Sequence, residues 1–218
     1  MTPTPLVDRC EEAGWWDDEP SIIHDGFDED ALVRWCMPPK FKRQITDRIM
    51  FCSNRSLGPM EKTTCDLCDE YEAVVQVADP LLHTYGGISN FSGCIATIKC
   101  HEDNSRVREL VAQDGHCKVL VIDGGGSVRR ALVGDQLAAK AISHGWQGLV
   151  VYGAVRDVDV LAKLPIGIQA VGHSPIRSAK NGIGEQGVIV RFAGISFVPG
   201  HFLYADRNGI VVAPHALT

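Results

Sequence analysis

No run in this 218-residue chain is long and apolar enough to span a bilayer: its longest apolar stretches, such as Val119–Ile122 and Leu149–Tyr152, fall far short. The first 30 residues contain no basic stretch leading into an apolar one, so no secretory leader is read. They are also too acidic for an Arg-rich, acid-poor organellar transit peptide. A cytoplasmic protein with no membrane partner is therefore expected. Excess positive charge is missing too, since the net charge is −6 and the sequence pI is about 5.7. No chain-wide field draws in a phosphate backbone, which argues against direct nucleic-acid binding. The Gly124–Gly126 run resembles a phosphate cradle, but neither nucleotide fingerprint, GxGxxG or GxxxxGKS/T, is read in the chain, so nucleotide binding is not expected.

Cysteine is not scarce. Eight are spread through the chain, but without a secretory context free thiols are the default. Cys65-Asp66-Leu67-Cys68 has the two-residue gap of zinc and redox sites, yet no second such pair completes a zinc site. Two thiols on one helix face is the simpler reading.

The 45% hydrophobic and 22% charged content is that of a globular protein with one well-buried domain. Texture divides the chain. Residues 1–30 hold ten acids and one Arg, residues 31–60 six bases and one acid, and three of the four tryptophans (Trp15, Trp16, Trp35) fall in this part. Residues 1–60 read as an N-terminal extension of unknown role, with Phe41, Ile45 and Ile49 at helical spacing over 41–51. A packed arm and a disordered tail both fit, although the tryptophans weigh against full solvation. Residues 61–218 read as the domain.

Within it, Thr64–Tyr71 reads as a helix, Val74–Val77 as an alternating segment ending at Pro80, and Tyr85-Gly86-Gly87 as a turn. Phe91–Cys100 alternates like a strand and Ser105–Gln113 reads as a helix. Val119–Ile122, a loop over Asp123-Gly124-Gly125-Gly126, a helix over Asp135–His144 and a strand over Gln147–Tyr152 form a β-loop-α-β unit. The pattern repeats with a loop over Gly153–Asp157, a helix over Val158–Leu164 and a strand over Ile166–Val171, so parallel pairing is expected. Beyond Gly172, Val188–Phe192, Ile195–Val198, Phe202–Tyr204 and Ile210–Val212 read as short strands. The domain is α/β with a partly parallel sheet.

In parallel α/β units, ligands bind beyond the carboxyl ends of the strands. Asp135 and the pair Arg156-Asp157 both fall there. The first backbone N–H groups of the helix, at Asp135, Gln136 and Leu137, can accept an anion, and Arg156 can hold a carboxylate with a bidentate fork. Asp157 supplies a hard oxygen for Mg2+, an ion that keeps much of its water. A carboxylate anchor beside a divalent ion suggests a small 2-oxo acid, with the ion polarising the ketone so that an adjacent carbon–carbon bond can break to an enolate. Asp135 can then orient a water that returns the proton. Taken alone this trio is weak, because such residues are more often a helix cap and a solvated ion pair.

Several segments carry a more specific likeness. Val119 through Ser127, Gly134-Asp135-Gln136-Leu137, Gly153-Ala154-Val155-Arg156-Asp157 and Tyr204-Ala205-Asp206 through Gly209 resemble the family called regulator of ribonuclease activity A. That family includes the 4-hydroxy-4-methyl-2-oxoglutarate aldolases. Further matching patches at Thr84–Gly87, Phe91–Gly93, Cys100–Asn104 and Gly182–Glu185 extend the likeness over about residues 62–216, leaving the first 60 outside it. The aldolase branch is marked by an acidic residue, twenty intervening residues and then Arg-Asp, the spacing of Asp135 and Arg156-Asp157.

The resemblance implies a three-layer β/β/α swivelling-domain fold and a homotrimer with sites near subunit interfaces. It implies that Gly134, Asp135, Gln136, Leu137 and Arg156 bind the pyruvyl portion of the substrate and that Asp157 contacts the metal, Mg2+ or Mn2+. The expected activity is a metal-dependent lyase, cleaving 4-hydroxy-4-methyl-2-oxoglutarate to pyruvate or decarboxylating oxaloacetate, with Asp135 and Arg156 catalytic. The alternative is a non-catalytic regulator that inhibits ribonuclease E-type RNA processing by binding a protein partner. A Schiff-base aldolase is disfavoured, because Lys140 and Lys163 fall on helices without a desolvated pocket. His101-Glu102-Asp103 reads as a structural polar loop, while His173 and Glu185 are left as possible neighbours of the site.

Overall fold

A computed structural model describes residues 62–217 of the chain. The extension read over 1–60, including its expected helix, lies outside the described residues.

Helix α1, Thr64–Tyr71, starts where a capping box predicts: Thr63 Oγ1 accepts from the Asp66 N–H at 3.2 Å, and Asp66 Oδ2 accepts from the Thr63 N–H at 2.9 Å. The short strands β1 (Gln76–Val77) and β2 (His83–Thr84) follow, then the long β3 (Phe91–Lys99) and helix α2 (Ser105–Val111). Next come β4 (Lys118–Asp123), β5 (Ala131–Val133), helix α3 (Asp135–Ser143) and β6 (Gly148–Val155). A four-residue helix α4 (Val158–Leu161) leads to β7 (Gly167–His173). The chain ends with β8 (Glu185–Gln186), β9 (Val190–Phe192), β10 (Ile195–Phe197), β11 (Phe202–Ala205) and β12 (Ile210–Ala213).

The main sheet runs β1-β12-β11-β3-β4-β6-β7-β2, with β5 added to β6 and β8 to β3. Strands β3, β4, β6 and β7 are parallel, as the β-loop-α-β pattern predicts, and the flanking strands join antiparallel. The alternation of side chains along β4 sets the layers. Leu120 and Ile122 face the core with Val107 and Val111 of α2, Leu137 and Ala141 of α3, and Leu161 of α4. Val119 and Val121 face the opposite core, covered by Val190 and Phe192 of β9 and by Ile195 and Phe197 of β10. Helices thus cover one face of the sheet and a β-hairpin the other. This is the expected three-layer β/β/α arrangement.

Two glycines are fixed by one ring. Gly148 and Gly167 pair across β6 and β7, and the Phe91 ring lies against both so closely that a β-carbon at either would overlap it. At the other margin, α1 packs Leu67 against Phe202, Tyr204 and Val211. Asp206 ties this helix down, accepting from the Thr64 N–H and the Thr64 hydroxyl at 2.8 Å each.

Three sequence expectations change. The loop placed over Gly153–Asp157 is strand up to Val155, because β5 and β7 pair on either side of Ala154 and Val155. The helix placed over Val158–Leu164 ends at Leu161, and the Leu164 carbonyl accepts instead from the Gly87 N–H at 3.1 Å. Strand β5 falls between Gly126 and Gly134, where no element is expected from the sequence, and it decides the geometry of the site.

Candidate active site

Strand β4 ends at Asp123, and beyond that point β5 takes its place beside β6, pairing Ala131 with Ala154 and Val133 with Val155 in parallel. Two neighbouring strand ends therefore emit the two motifs side by side: β5 leads through Gly134 into α3, and β6 leads into Arg156-Asp157. The Arg156 N–H donates to the Val133 carbonyl at 2.9 Å and locks the two exits together.

Gly134 is the N-cap of α3 in an ordinary extended conformation, so its backbone does not require glycine. Its neighbours do. A β-carbon at 134 would lie 2.7 Å from Asp157 Oδ2 and 2.8 Å from Arg156 Cγ. The missing side chain lets Arg156 and Asp157 lean over the start of the helix.

Asp157 itself is in the left-handed region, φ 59° and ψ 41°, where a non-glycine residue is uncommon. This turn aims its carboxylate back toward α3. Asp157 Oδ2 accepts from Arg156 Nε at 3.1 Å and, more weakly, from the Asp135 N–H at 3.4 Å. Partial burial pushes the Asp157 carboxyl up, but the Arg156 hydrogen bond, the Asp135 N–H and the guanidinium charge outweigh it and hold the group below its ordinary value. The carboxylate is ionised at neutral pH. Asp135 Oδ1 accepts from the Gln136 N–H at 2.7 Å. The first helix amides expected to be open to an anion are thus partly engaged by the protein's own carboxylates.

Gly134, Asp135, Gln136, Leu137, Arg156 and Asp157, the six residues singled out from sequence, all line one pocket of about 160 Å³. That is below the ~300–1,000 Å³ of drug-sized ligand sites, a size for a small acid. Lys140, Lys163, His173 and Glu185 do not line it. His173 instead meets Tyr85 at the end of β7, and Glu185 pairs with Lys99 in the sheet.

The remaining wall comes from residues that sequence reasoning did not select: Asn104, Arg108, Ala131, Arg177, Ser178 and Lys180. The Asn104 amide donates to the Leu132 carbonyl at 3.2 Å, leaving Asn104 Oδ1 buried without a partner. Ser178 Oγ is the other buried side-chain polar atom without a partner among the described residues. Both line this pocket, and an unmet buried polar atom is costly unless a ligand or water meets it. The available sequence signal was modest: Ser174 through Gly184 contains two cations, Arg177 and Lys180, and no acid.

The structural reading of His101-Glu102-Asp103 holds. Glu102 accepts from Ser127 Oγ and Arg129 Nε at 2.7 Å each, and Asp103 accepts from the N–H groups of Ser105 and Asn181. The last of these bonds, to Asn181, fastens the loop carrying Arg177 and Lys180. Gly182 through Gly187 does have GxGxxG spacing, but it leads into strand β8 and not into a helix, so it lacks the helix N-terminus that binds phosphate.

Among the described residues no three His, Cys, Asp or Glu side chains converge as a metal cage. Two carboxylates, Asp135 and Asp157, line the pocket. That donor set fits Mg2+ or Mn2+ held by one or two carboxylates with water and substrate oxygens completing the shell.

Comparison with known proteins identifies the family. The family model RraA-like, Aldolase/RraA, matches residues 64–212. A protein of Pseudomonas paraeruginosa named "Putative 4-hydroxy-4-methyl-2-oxoglutarate aldolase" is 55% identical over 158 residues, 72% of this chain and 98% of that one. The RNA-processing inhibitor RraA from Thermus thermophilis superposes with a TM-score of 0.71 at 40% identity, covering 73% of this chain and 96% of that one. An S-adenosylmethionine:2-dimethylmenaquinone methyltransferase from Geobacillus kaustophilus superposes at 0.70 with 42% identity, covering 72% and 97%. On the family match and these identities, the chain belongs to the RraA-like family of aldolase and RraA proteins.

Proposed function

We propose that this chain is a divalent-metal-dependent lyase for small 2-oxo acids, cleaving 4-hydroxy-4-methyl-2-oxoglutarate to two pyruvates, decarboxylating oxaloacetate, or both. The observation that carries the reading is the convergence of Asp135, Arg156 and Asp157 in one small pocket at the ends of adjacent parallel strands. The name of the 55% identical relative supports the same chemistry.

Asp157 would hold the ion, with Asp135 close by through water. When bound, Mg2+ or Mn2+ would withdraw electron density from the substrate ketone as a Lewis acid. Arg156 would bind the adjacent carboxylate. Its Nε is committed to Asp157, which leaves the two terminal nitrogens to form the bidentate fork. Gly134 leaves room for this arrangement, and the start of α3 forms its floor, with Leu137 packed into the core behind it.

In aldol cleavage the hydroxyl at carbon 4 would give its proton to the water held beside Asp135, the bond between carbons 3 and 4 would break, and its electron pair would enter the pyruvate enolate. In decarboxylation the same bond breaks with loss of CO2. Asp135 would orient the water that returns a proton to the enolate carbon, a step worth roughly 10²–10⁴-fold in such catalysts.

The test is pyruvate release from oxaloacetate by the full chain. It should be abolished by chelator and restored by Mg2+. Asp157→Ala should lose the metal-supported rate and Arg156→Ala should lose substrate carboxylate binding. Chelator-insensitive release, or near-wild-type rates in both variants, would sink the assignment.

A second reading has its own support, since the 40% identical neighbour from Thermus is named an RNA-processing inhibitor. Ribonuclease inhibition that survives Asp135→Ala would show a regulatory surface separate from the pocket.

A further inference from the structure

The loop from Ser174 to Gly184, between β7 and β8, supplies Arg177, Ser178 and Lys180 to the pocket of Asp135, Arg156 and Asp157. It has no hydrophobic anchor. Ser174 and Ser178 are its only buried side chains, while Ile176 and Ile183 are 54% and 57% exposed. Gly182 and Gly184 stand at φ 75° and 132°, a region that glycine enters without strain and leaves as readily. Hydrogen bonds, not packing, therefore hold this segment in place.

The first half of the loop is tied by backbone: the Ala131 N–H donates to the Ile176 carbonyl and the Ala179 N–H to the Glu102 carbonyl, at 2.8 Å each. The second half rests on two side chains from the turn into α2. Asp103 accepts from the Asn181 N–H, and Ser105 Oγ accepts from the Gly182 N–H at 3.0 Å. The other Asp103 oxygen accepts from the Ser105 N–H at 2.8 Å. Asp103 is 1% exposed. Burial pushes its carboxyl up, but the Ser105 hydroxyl and the N–H groups of Ser105, Asn181 and Ile183 outweigh it and hold the group below its ordinary value. The carboxylate is ionised at neutral pH and its charge is met by these donors. The next residue, Asn104, and Arg108 of α2 line the pocket too, so Asp103 sits at the joint of the two segments that build this wall.

We propose that Asp103 is a positioning residue for the lyase site: from outside the pocket it sets the loop carrying Arg177, Ser178 and Lys180 against the turn carrying Asn104, and so fixes the wall that grips the substrate. The proposal rests on the lyase reading of that pocket. Asp103 does not itself line the pocket, so its effect passes through the loop. A wall that grips substrate and transition state alike lowers KM without changing kcat, and loosening it should raise KM alone.

Hydrogen exchange and oxaloacetate kinetics on the full chain test this together. In Asp103→Asn the amide NH2 must face one of the N–H groups that the carboxylate accepts from, which breaks the latch at constant volume. The amides of residues 177–184 should exchange about tenfold faster or more, the scale of one charged hydrogen bond, while those of β4 and β6 keep their rates. KM should rise about tenfold with kcat changed less than about threefold. Ser105→Ala keeps the carboxylate and removes the hydroxyl bond to Gly182, so it should move both readouts the same way by less, and it carries the test should Asp103→Asn not fold. Asp206→Asn alters another buried carboxylate that holds backbone amides, at the margin of α1, and should leave KM and the loop's exchange unchanged.

Unchanged exchange over 177–184, exchange that rises equally across the sheet, a faster loop with unchanged KM, or an equal rise of KM in Asp206→Asn would each overturn the positioning role. Failure of the lyase reading would show differently, as no pyruvate release from the unmodified chain while the loop's exchange still depends on Asp103.

Discussion

Substituting Gly134 by Ala isolates one physical effect at the centre of the site. The backbone there, φ −136° and ψ −170°, suits any residue, so the added methyl introduces no conformational strain. It does introduce overlap: 2.7 Å to Asp157 Oδ2, 2.8 Å to Arg156 Cγ and 3.3 Å to Arg156 Cδ. Ordinary contact needs ~3.5–4.0 Å between carbons, so both side chains must move by about 0.7–1 Å. Leaving their rotamer wells would cost on the order of 0.5–1.5 kcal/mol each, a total of about 1–3 kcal/mol of stability. For a domain of this size that is a fall in Tm of roughly 2–12 °C, at ~2–4 °C per kcal/mol. Activity should suffer more, since a misplacement of ~1 Å can cost about 100-fold. The assay pairs thermal unfolding with kcat/KM for oxaloacetate. Loss of activity in a protein that is still folded at the assay temperature is the expected result. An alanine variant with full activity would refute the claim that this glycine positions Arg156 and Asp157.

Asp206→Asn should loosen α1: a charged hydrogen bond is worth about 1.5–3 kcal/mol, and Thr64 makes two to this carboxylate. Protease susceptibility near residues 62–71 reads the result. The same contact should be acid-labile. Burial pushes the Asp206 carboxyl up, but bonds from Thr64 and Asn208 outweigh it and hold it below its ordinary value. A carboxyl depressed on folding stabilises fully above its unfolded value, near ~3.9, and loses that contribution as pH falls through the folded value. Thermal stability should therefore fall below about pH 4, and less so in Asp206→Asn. Phe91→Ala removes the ring lying over Gly148 and Gly167 and should cost roughly 3–5 kcal/mol in urea unfolding.

How much was legible in the sequence follows from how local each signal was. The bounds of α1 match because Thr63 and Asp66 cap it from within three residues. Parallel β4, β6 and β7 follow from apolar runs separated by helices. Strand β5 is three residues long and becomes a strand only because β4 ends and leaves the edge of β6 free, a tertiary circumstance with no local pattern. The six site residues named from sequence share one pocket, yet half of its wall stayed hidden. Arg177, Ser178 and Lys180 lie in an irregular loop whose position is set by bonds to Glu102, Asp103 and Arg130, about fifty to eighty residues earlier in the chain. Conversely, the GxGxxG spacing over 182–187 is visible in sequence and inert in structure, because no helix follows it.

Arg156 links the two halves of the proposed chemistry. Its Nε holds Asp157 Oδ2, while its terminal nitrogens are the fork that would take the substrate carboxylate. One planar group can thus set the proposed metal ligand and the substrate in a common frame, which a lysine ammonium cannot do because it lacks a second rigid edge. The Asp135 N–H extends that frame to α3, so the acid that would handle the proton is fixed relative to the same carboxylate. An inhibitor that works through its outer surface has no use for this chain of contacts, for a glycine shaped to it, or for two unmet polar atoms in the facing wall. Those features together support the proposed turnover in the pocket.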